Sequence, residues 1–453
     1  MKKYILIILC CLTSFPLWSY NVNMIVEHYS VDQGLPNNTV NCTLKDRDGF
    51  IWFGTWYGLC CFDGVKFKTF NKQEHDSDVP PRKIQRIVED KNGYIWVKTI
   101  DRKLYVFNKV TECFHAVYDD MKNYSENIQV IKLQNTAEGD VLLLTKDKNL
   151  LLAGVDEKGQ VTIKILFDSR NEINKHDYTL KHHVLCETEE YISWIGTDYK
   201  VAAVHKGSEL ASRPADFITS KINSGDKDSF TSFFEDGRKV WVGDRAGIFY
   251  SIDVRTGLVN RYVLSEIKGA ISNLLVTPAG YVYLSVAGQG TYEYDLAERR
   301  LQKINTEMND AMVTHAFIDQ YDKIWFHENE KALIYYDPLN HTAKRFPFTM
   351  FGKITTLYSE DAGERGLFFL SPAGEAWMID REHAEMVYIN KLKQLSNDRA
   401  NQQFYHLMLD NDGVLWLSSA DEGVYCMNFP KKQFNLLSLS PQSVGQENYA
   451  TGV

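Results

Sequence analysis

Apolar and polar positions alternate with a period of two through most of the chain, in short runs separated by turn signals, which is the pattern of half-buried β-strands. The clearest stretch is residues 34–64, GLPNNTVNCTLKDRDGFIWFGTWYGLCCFDG. Residues 40–44 make a first predicted strand, and Asp46-Arg47-Asp48-Gly49 reverses the chain. Residues 50–55 return as an aromatic and β-branched strand, and residues 58–62 make a third. Asp63-Gly64 is another hairpin signal and residues 66–70 supply a fourth strand. One such unit cannot bury both of its faces, so copies of it must stack.

The copies are present. Aligned on Trp52, the second-strand slot holds Trp52, Trp96, Leu142, Trp194, Trp241, Tyr283, Trp325, Phe369 and Trp416, at spacings of 44, 46, 52, 47, 42, 42, 44 and 47 residues. A period near 45 with four strands per unit predicts an all-β fold, a β-propeller of about nine repeats. A sandwich would not repeat one aromatic slot at such spacing, and a helical repeat would carry a 3.6-residue period.

Because propellers typically have up to eight blades, the expected division is a seven-bladed ring over residues 20–345, then two blades of an incomplete second propeller over 346–453. A single enlarged ring is the alternative. Residues 24–30 have the phase of an outermost strand without a blade of its own, and such a strand would close a ring by pairing with a late blade. The pattern breaks off after residue 439, so the chain reads either as a fragment of a longer protein or as a stand-alone relative.

Residues 1–19 differ from the rest. Lys2 and Lys3 precede an apolar run that ends near Ser19, which predicts a secretory signal peptide and an exported chain. No later segment has membrane-spanning length without charges. Without Lys2 and Lys3, 48 basic side chains face 59 acidic ones, a balance of −11 that argues against nucleic acid or anionic lipid as the main partner. Beyond the leader, Cys42, Cys60, Cys61, Cys113, Cys186 and Cys426 show no zinc or redox spacing. Cys42 sits two strands from Cys60 and Cys61, farther than a disulfide reaches, which favours buried free thiols.

The GLPNNTV lead-in, the Asp-x-Asp-Gly turn, the IWFGT strand and the GL…FDG close of residues 34–64 resemble the regulator-propeller repeat in the periplasmic sensor regions of bacterial hybrid two-component systems. In that family two seven-bladed propellers precede a β-sandwich domain, a membrane helix, a histidine kinase, a receiver and a DNA-binding output. The resemblance implies a periplasmic sensor module that recognises oligosaccharides, with a homodimer in the full-length sensor. This sequence has no kinase or receiver motif, so no kinase activity is expected of it.

In a propeller the loops joining fourth to first and second to third strands share one face, and loops carry function on a rigid scaffold. The expected ligand-binding residues are therefore Trp56, Tyr57, Asp101, Arg102, Asp198, Tyr199, Asp244, Arg245, His327 and Glu328. Aromatic faces stack on sugar rings, and Arg forks suit uronates or sulfates. Neither catalytic residues nor cofactors are expected. Asp46 and Asp410 open calcium-like motifs, yet an EF-hand needs Gly at the sixth position and Glu at the twelfth, where Ile51 and Tyr57 or Leu415 and Asp421 stand. His182 and His183 are adjacent on a strand and point to opposite faces, so no metal site is expected. The other function classes open to such a propeller are a glycoside hydrolase or polysaccharide lyase, for which the inner strands offer no nucleophile elbow or metal triad, and a protein-binding scaffold.

Overall fold

The computed structural model describes residues 25–70, 80–122, 129–169, 180–196, 201–207, 215–216, 230–304, 313–328, 331–347, 358–361, 367–370, 376–380, 385–388 and 404–428. These residues build nine four-stranded antiparallel sheets, each the expected unit. The first blade is Val40–Lys45, Ile51–Thr55, Gly58–Phe62 and Phe67–Phe70, within a residue or so of the runs the alternation marks. Second strands are buried on both faces, as in Ile51–Thr55 and Ile95–Thr99, while outermost strands such as Leu258–Val263 are largely exposed. The predicted signal peptide lies outside the described residues.

Packing between sheets runs in sequence order. Separate hydrophobic clusters join blade 1 to 2 through Trp52 and Phe107, blade 2 to 3 through Trp96 and Leu143, and blade 3 to 4 through Leu144 and Trp194. Further clusters join 4 to 5, 5 to 6 and 6 to 7. Trp325 and Phe369 then meet between blades 7 and 8, and Phe368 and Leu417 between 8 and 9. A ninth cluster sets Trp416 and Val424 of blade 9 against Val40 and Phe53 of blade 1.

The closing element is the N-terminal strand Ile25–Tyr29. It pairs antiparallel with Val424–Asn428 and supplies the fourth strand of blade 9, as the phase of residues 24–30 anticipates. The division into a seven-bladed ring ending near 345 and two blades of a second propeller does not match this arrangement. Blades 7, 8, 9 and 1 pack in turn with the same apolar interface as the others, giving one nine-bladed ring. Gly423 turns the last hairpin at φ +91, where a Cβ would lie 2.1 Å from the Tyr29 carbonyl, so only glycine lets the closing strand in so close.

Five blades share one local device. In the turn after the first strand, Asp46 Oδ1 accepts the Asp48 and Phe50 N–H groups at 3.0 and 2.9 Å, while Oδ2 accepts the indole N–H of Trp52 at 2.7 Å. Asp90 with Trp96, Asp319 with Trp325 and Asp410 with Trp416 repeat this bond, and Asp236 with Trp241 does so from a turn one residue shorter. Where the slot lacks an indole, at Leu142 and Tyr283, the acid is replaced by Thr136 and Thr277. Blade 4, with Thr188 and Trp194, departs from the rule. The Asp-x-Asp-Gly motifs thus serve turn closure and aromatic anchoring. Cys42, Cys60, Cys61, Cys113 and Cys426 are free thiols, consistent with the strand spacing.

Candidate ligand-binding site

Backbone bonds hold the Trp56 and Arg102 turns against the strands that enter neighbouring blades. The Trp56 N–H donates to the Thr39 carbonyl at 3.2 Å, and the Lys83 N–H at the start of blade 2 donates to the Trp56 carbonyl at 3.0 Å. Ile100 N–H reaches Lys83 O at 2.9 Å and Val130 N–H reaches Arg102 O at 2.9 Å. The second-to-third turns of blades 1 and 2 are therefore stitched to the segments that enter the next blades, which fixes these two turns against the rigid sheets.

Between the blade 1 and blade 2 loops of this face lies a depression of about 370 Å³, whose wall includes Arg82, Lys83, Asp101, Lys103 and Tyr105. Trp56, 42% exposed, lies alongside, with the Lys83 ammonium 5.2 Å from its ring centroid. Tyr57 projects from the same turn and is 64% exposed. Asp101 faces Lys103 at 3.3 Å and accepts the Thr99 hydroxyl, so it sets the loop while Arg82 and Lys83 keep the wall basic. Arg102 and Arg245 are exposed, Arg102 in a left-handed turn at φ +68. Asp198 and Tyr199 lie outside the described residues.

Asp244, His327 and Glu328 are drawn inside the blades, against expectation. The reason is a one-position difference in where the turn begins. Asp244 and Glu328 are the last residues of the second strands Lys239–Asp244 and Ile324–Glu328, the position held by Thr55, Thr99, Thr145 and Ser419 elsewhere. Side-chain oxygens there cap the turn. Asp244 accepts the Ala246 and Ile248 N–H groups at 2.9 and 2.8 Å, and burial pushes its carboxyl up. Glu328 accepts both Nε and an Nη of Arg345, at 3.1 and 3.0 Å. Burial, then the charge of His315 across the strand pair, holds the His327 imidazole down.

The opposite face carries a feature the sequence reading missed. A cleft of about 820 Å³ opens between blades 1 and 2, walled by Phe50, Trp52, Phe70, Tyr94 and the turn around Lys109. The Lys109 ammonium lies 3.1 Å from Asp46, 2.6 Å from Asp48 and 2.8 Å from Glu89. These three carboxylates gather closely enough to hold a metal ion, and the ammonium sits among them. Burial pulls Lys109 down, but its bonds to Asp48, Glu89 and Asp46 outweigh that and raise its pKa. Cys61 lines the cleft with its thiol pushed up to about 12, by burial and then by the charges of Asp46 and Asp63, which keeps it in the protonated form at neutral pH. The four charged residues come from two blades, Asp46, Asp48 and Lys109 from turns and Glu89 from a strand end, and no sequence motif links them.

Residues 34–57 match the family model described as two component regulator propeller. Among solved structures it is similar to the extracellular domain of a one-component system from B. thetaiotaomicron, at 14% identity and a TM-score of 0.39, covering 87% of this chain and 65% of that one. It is also similar to the extracellular domain of a hybrid two-component system from the same organism, at 14% identity and a TM-score of 0.34, covering 87% and 58%. A third is virginiamycin B lyase from Staphylococcus aureus, at 8% identity and a TM-score of 0.35, covering 89% and 99%. The chain thus spans under two thirds of the length of the two extracellular domains, and nothing about its ligand follows from these likenesses. No curated protein sequence matches it. No helix among the described residues is long and apolar enough to cross a membrane.

Proposed function

We propose that this chain is a periplasmic, ligand-sensing propeller region of a two-component system, binding an anionic oligosaccharide on the face of the second-to-third loops. The observation that carries the reading is the basic depression of about 370 Å³ walled by Arg82, Lys83 and Lys103, with the exposed Trp56 and Tyr57 rings beside it. Aromatic faces stack on pyranose rings, and Arg forks bind uronate or sulfate groups in two parallel bonds. Rigid blades fix these groups in place, so occupancy is passed on as a shift of the whole propeller against domains outside this chain.

Titration calorimetry with matched neutral, uronate-containing and sulfated oligosaccharides tests this. Acidic oligosaccharides should bind, and Trp56→Ala with Arg82→Ala should weaken them by about tenfold or more, the loss of one stacked ring and one charge-assisted bond. Unchanged affinity in that double variant would refute the site. New reducing ends or unsaturated products during incubation would instead assign the protein to the carbohydrate-active enzymes.

A further inference from the structure

We propose that Arg86, Lys98 and Arg102 form an oxyanion-binding site at the inner edge of the interface between blades 2 and 3, taking a sulfate, phosphate or carboxylate group. The proposal goes beyond the reading above, because it does not require the ligand to be a saccharide.

The strand register sets Arg86 on the first strand of blade 2 directly opposite Lys98 on the second. Like charges placed this way repel. Elsewhere the Lys98 position is filled without charge. It is Gly54 in blade 1 and Gly243 in blade 5, where an added Cβ would come 2.5 Å from Cys42 Sγ and 2.4 Å from Ser232 Oγ. Blade 2 instead puts a long cation there, only 6% exposed, whose ammonium donates to the Ile131 carbonyl of blade 3 at 2.8 Å.

The main chain of Arg102 is held against the same strand of blade 3. Its carbonyl accepts the Val130 N–H at 2.9 Å and its own N–H donates to Thr99 O at 2.9 Å. Consecutive residues of one strand, 130 and 131, therefore anchor both Arg102 and Lys98. The acid beside them in sequence, Asp101, is taken by Lys103 and the Thr99 hydroxyl. Burial, and then the charges of Arg102 and Arg86, bring the Lys98 ammonium down to about 8, with no carboxylate among these causes. In a chain of formal net charge −9, a buried ammonium opposite one guanidinium and within range of a second costs stability by itself. An oxyanion accepting from a buried ammonium and two guanidinium forks offsets that cost.

The test uses the full chain and sodium sulfate, sodium phosphate and sodium glucuronate, each against sodium chloride at equal ionic strength, read by calorimetry and thermal unfolding. At least one oxyanion should bind and raise the midpoint, and Lys98→Met should lower its affinity by about tenfold or more. The same variant should unfold no earlier than wild type in chloride, since a repelling charge is gone. Binding of glucuronate alone identifies a sugar carboxylate as the source, and binding of sulfate or phosphate alone identifies a free oxyanion; both support the site. Equal stabilisation of wild type and Lys98→Met, or binding of none of the three, overturns it. If Lys98→Met does not fold, Arg86→Gln, at an exposed position, must show the same tenfold loss, and its failure to do so overturns the proposal equally.

Discussion

The bond between the turn acid and the slot indole should be worth more than either group's effect on the turn alone, and blade 2 offers the cleanest place to measure it. Asp90 is 1% exposed and Trp96 fully buried. Asp90 Oδ1 accepts the Asn92 and Tyr94 N–H groups at 2.9 and 3.0 Å, and Oδ2 accepts the Trp96 indole N–H at 2.9 Å. Asp90→Asn keeps one oxygen for the turn but turns an amide donor toward the indole. A buried donor left unpaired costs about 1–3 kcal/mol. Trp96→Phe removes the indole donor, leaving a buried carboxylate oxygen short of a partner, and adds a cavity cost. The double variant has neither the unpaired indole nor the unpaired carboxylate oxygen, and keeps only the introduced amide donor without a partner. The two changes should therefore be sub-additive, with a coupling of about 1–2 kcal/mol in a double-mutant cycle. Guanidinium unfolding midpoints, checked for a single transition, supply the four energies. Additivity within about 0.5 kcal/mol would refute the view that this bond ties the turn to the blade core. Asp90→Thr with Trp96→Leu, which copies the Thr136 and Leu142 pair of blade 3, should recover part of the loss.

Two further outcomes are expected. Gly423→Ala should loosen ring closure, because its Cβ would meet the Tyr29 carbonyl at 2.1 Å, whereas Gly64→Ala, at φ +95 with nothing within 4 Å, pays only the left-handed backbone cost of about 1 kcal/mol; faster hydrogen exchange across residues 25–29 in the first variant alone checks this, and equal exchange in both would count against closure by that strand. Glu235 is pushed up to about 7 by burial, then by the charges of Glu187 and Asp236. A carboxyl that holds its proton more tightly when folded is a liability that grows as pH rises from about 4.3, its unfolded value, and is complete above 7. Glu235→Gln should thus raise the unfolding midpoint at pH 8 and leave it unchanged at pH 4; an equal shift at both would remove the carboxyl as the cause.

The alternation of residues 34–64, the recurring Trp52 slot and its period near 45 determined the blades by themselves, because strand pairing within a blade joins neighbours in sequence and side chains must alternate across each sheet. The loop face was legible for the same reason: Trp56, Tyr57, Asp101 and Arg102 sit in turns whose place follows from blade geometry. Ring size was not legible. The interface of Trp325 with Phe369 is built from the same residue types as that of Trp52 with Phe107, and local contacts of this kind do not encode how many blades meet before the ring closes. That was decided by Ile25–Tyr29 finding Val424–Asn428 across nearly the whole chain. Asp244 and Glu328 were misplaced because a turn starting one residue later converts an exposed loop position into a buried strand end. Lys109 among Asp46, Asp48 and Glu89, and Arg86 opposite Lys98 beside Arg102, bring charges from separate strands and turns to single points. Spacing along the chain carries no record of such meetings, which only the packing of one blade against the next creates.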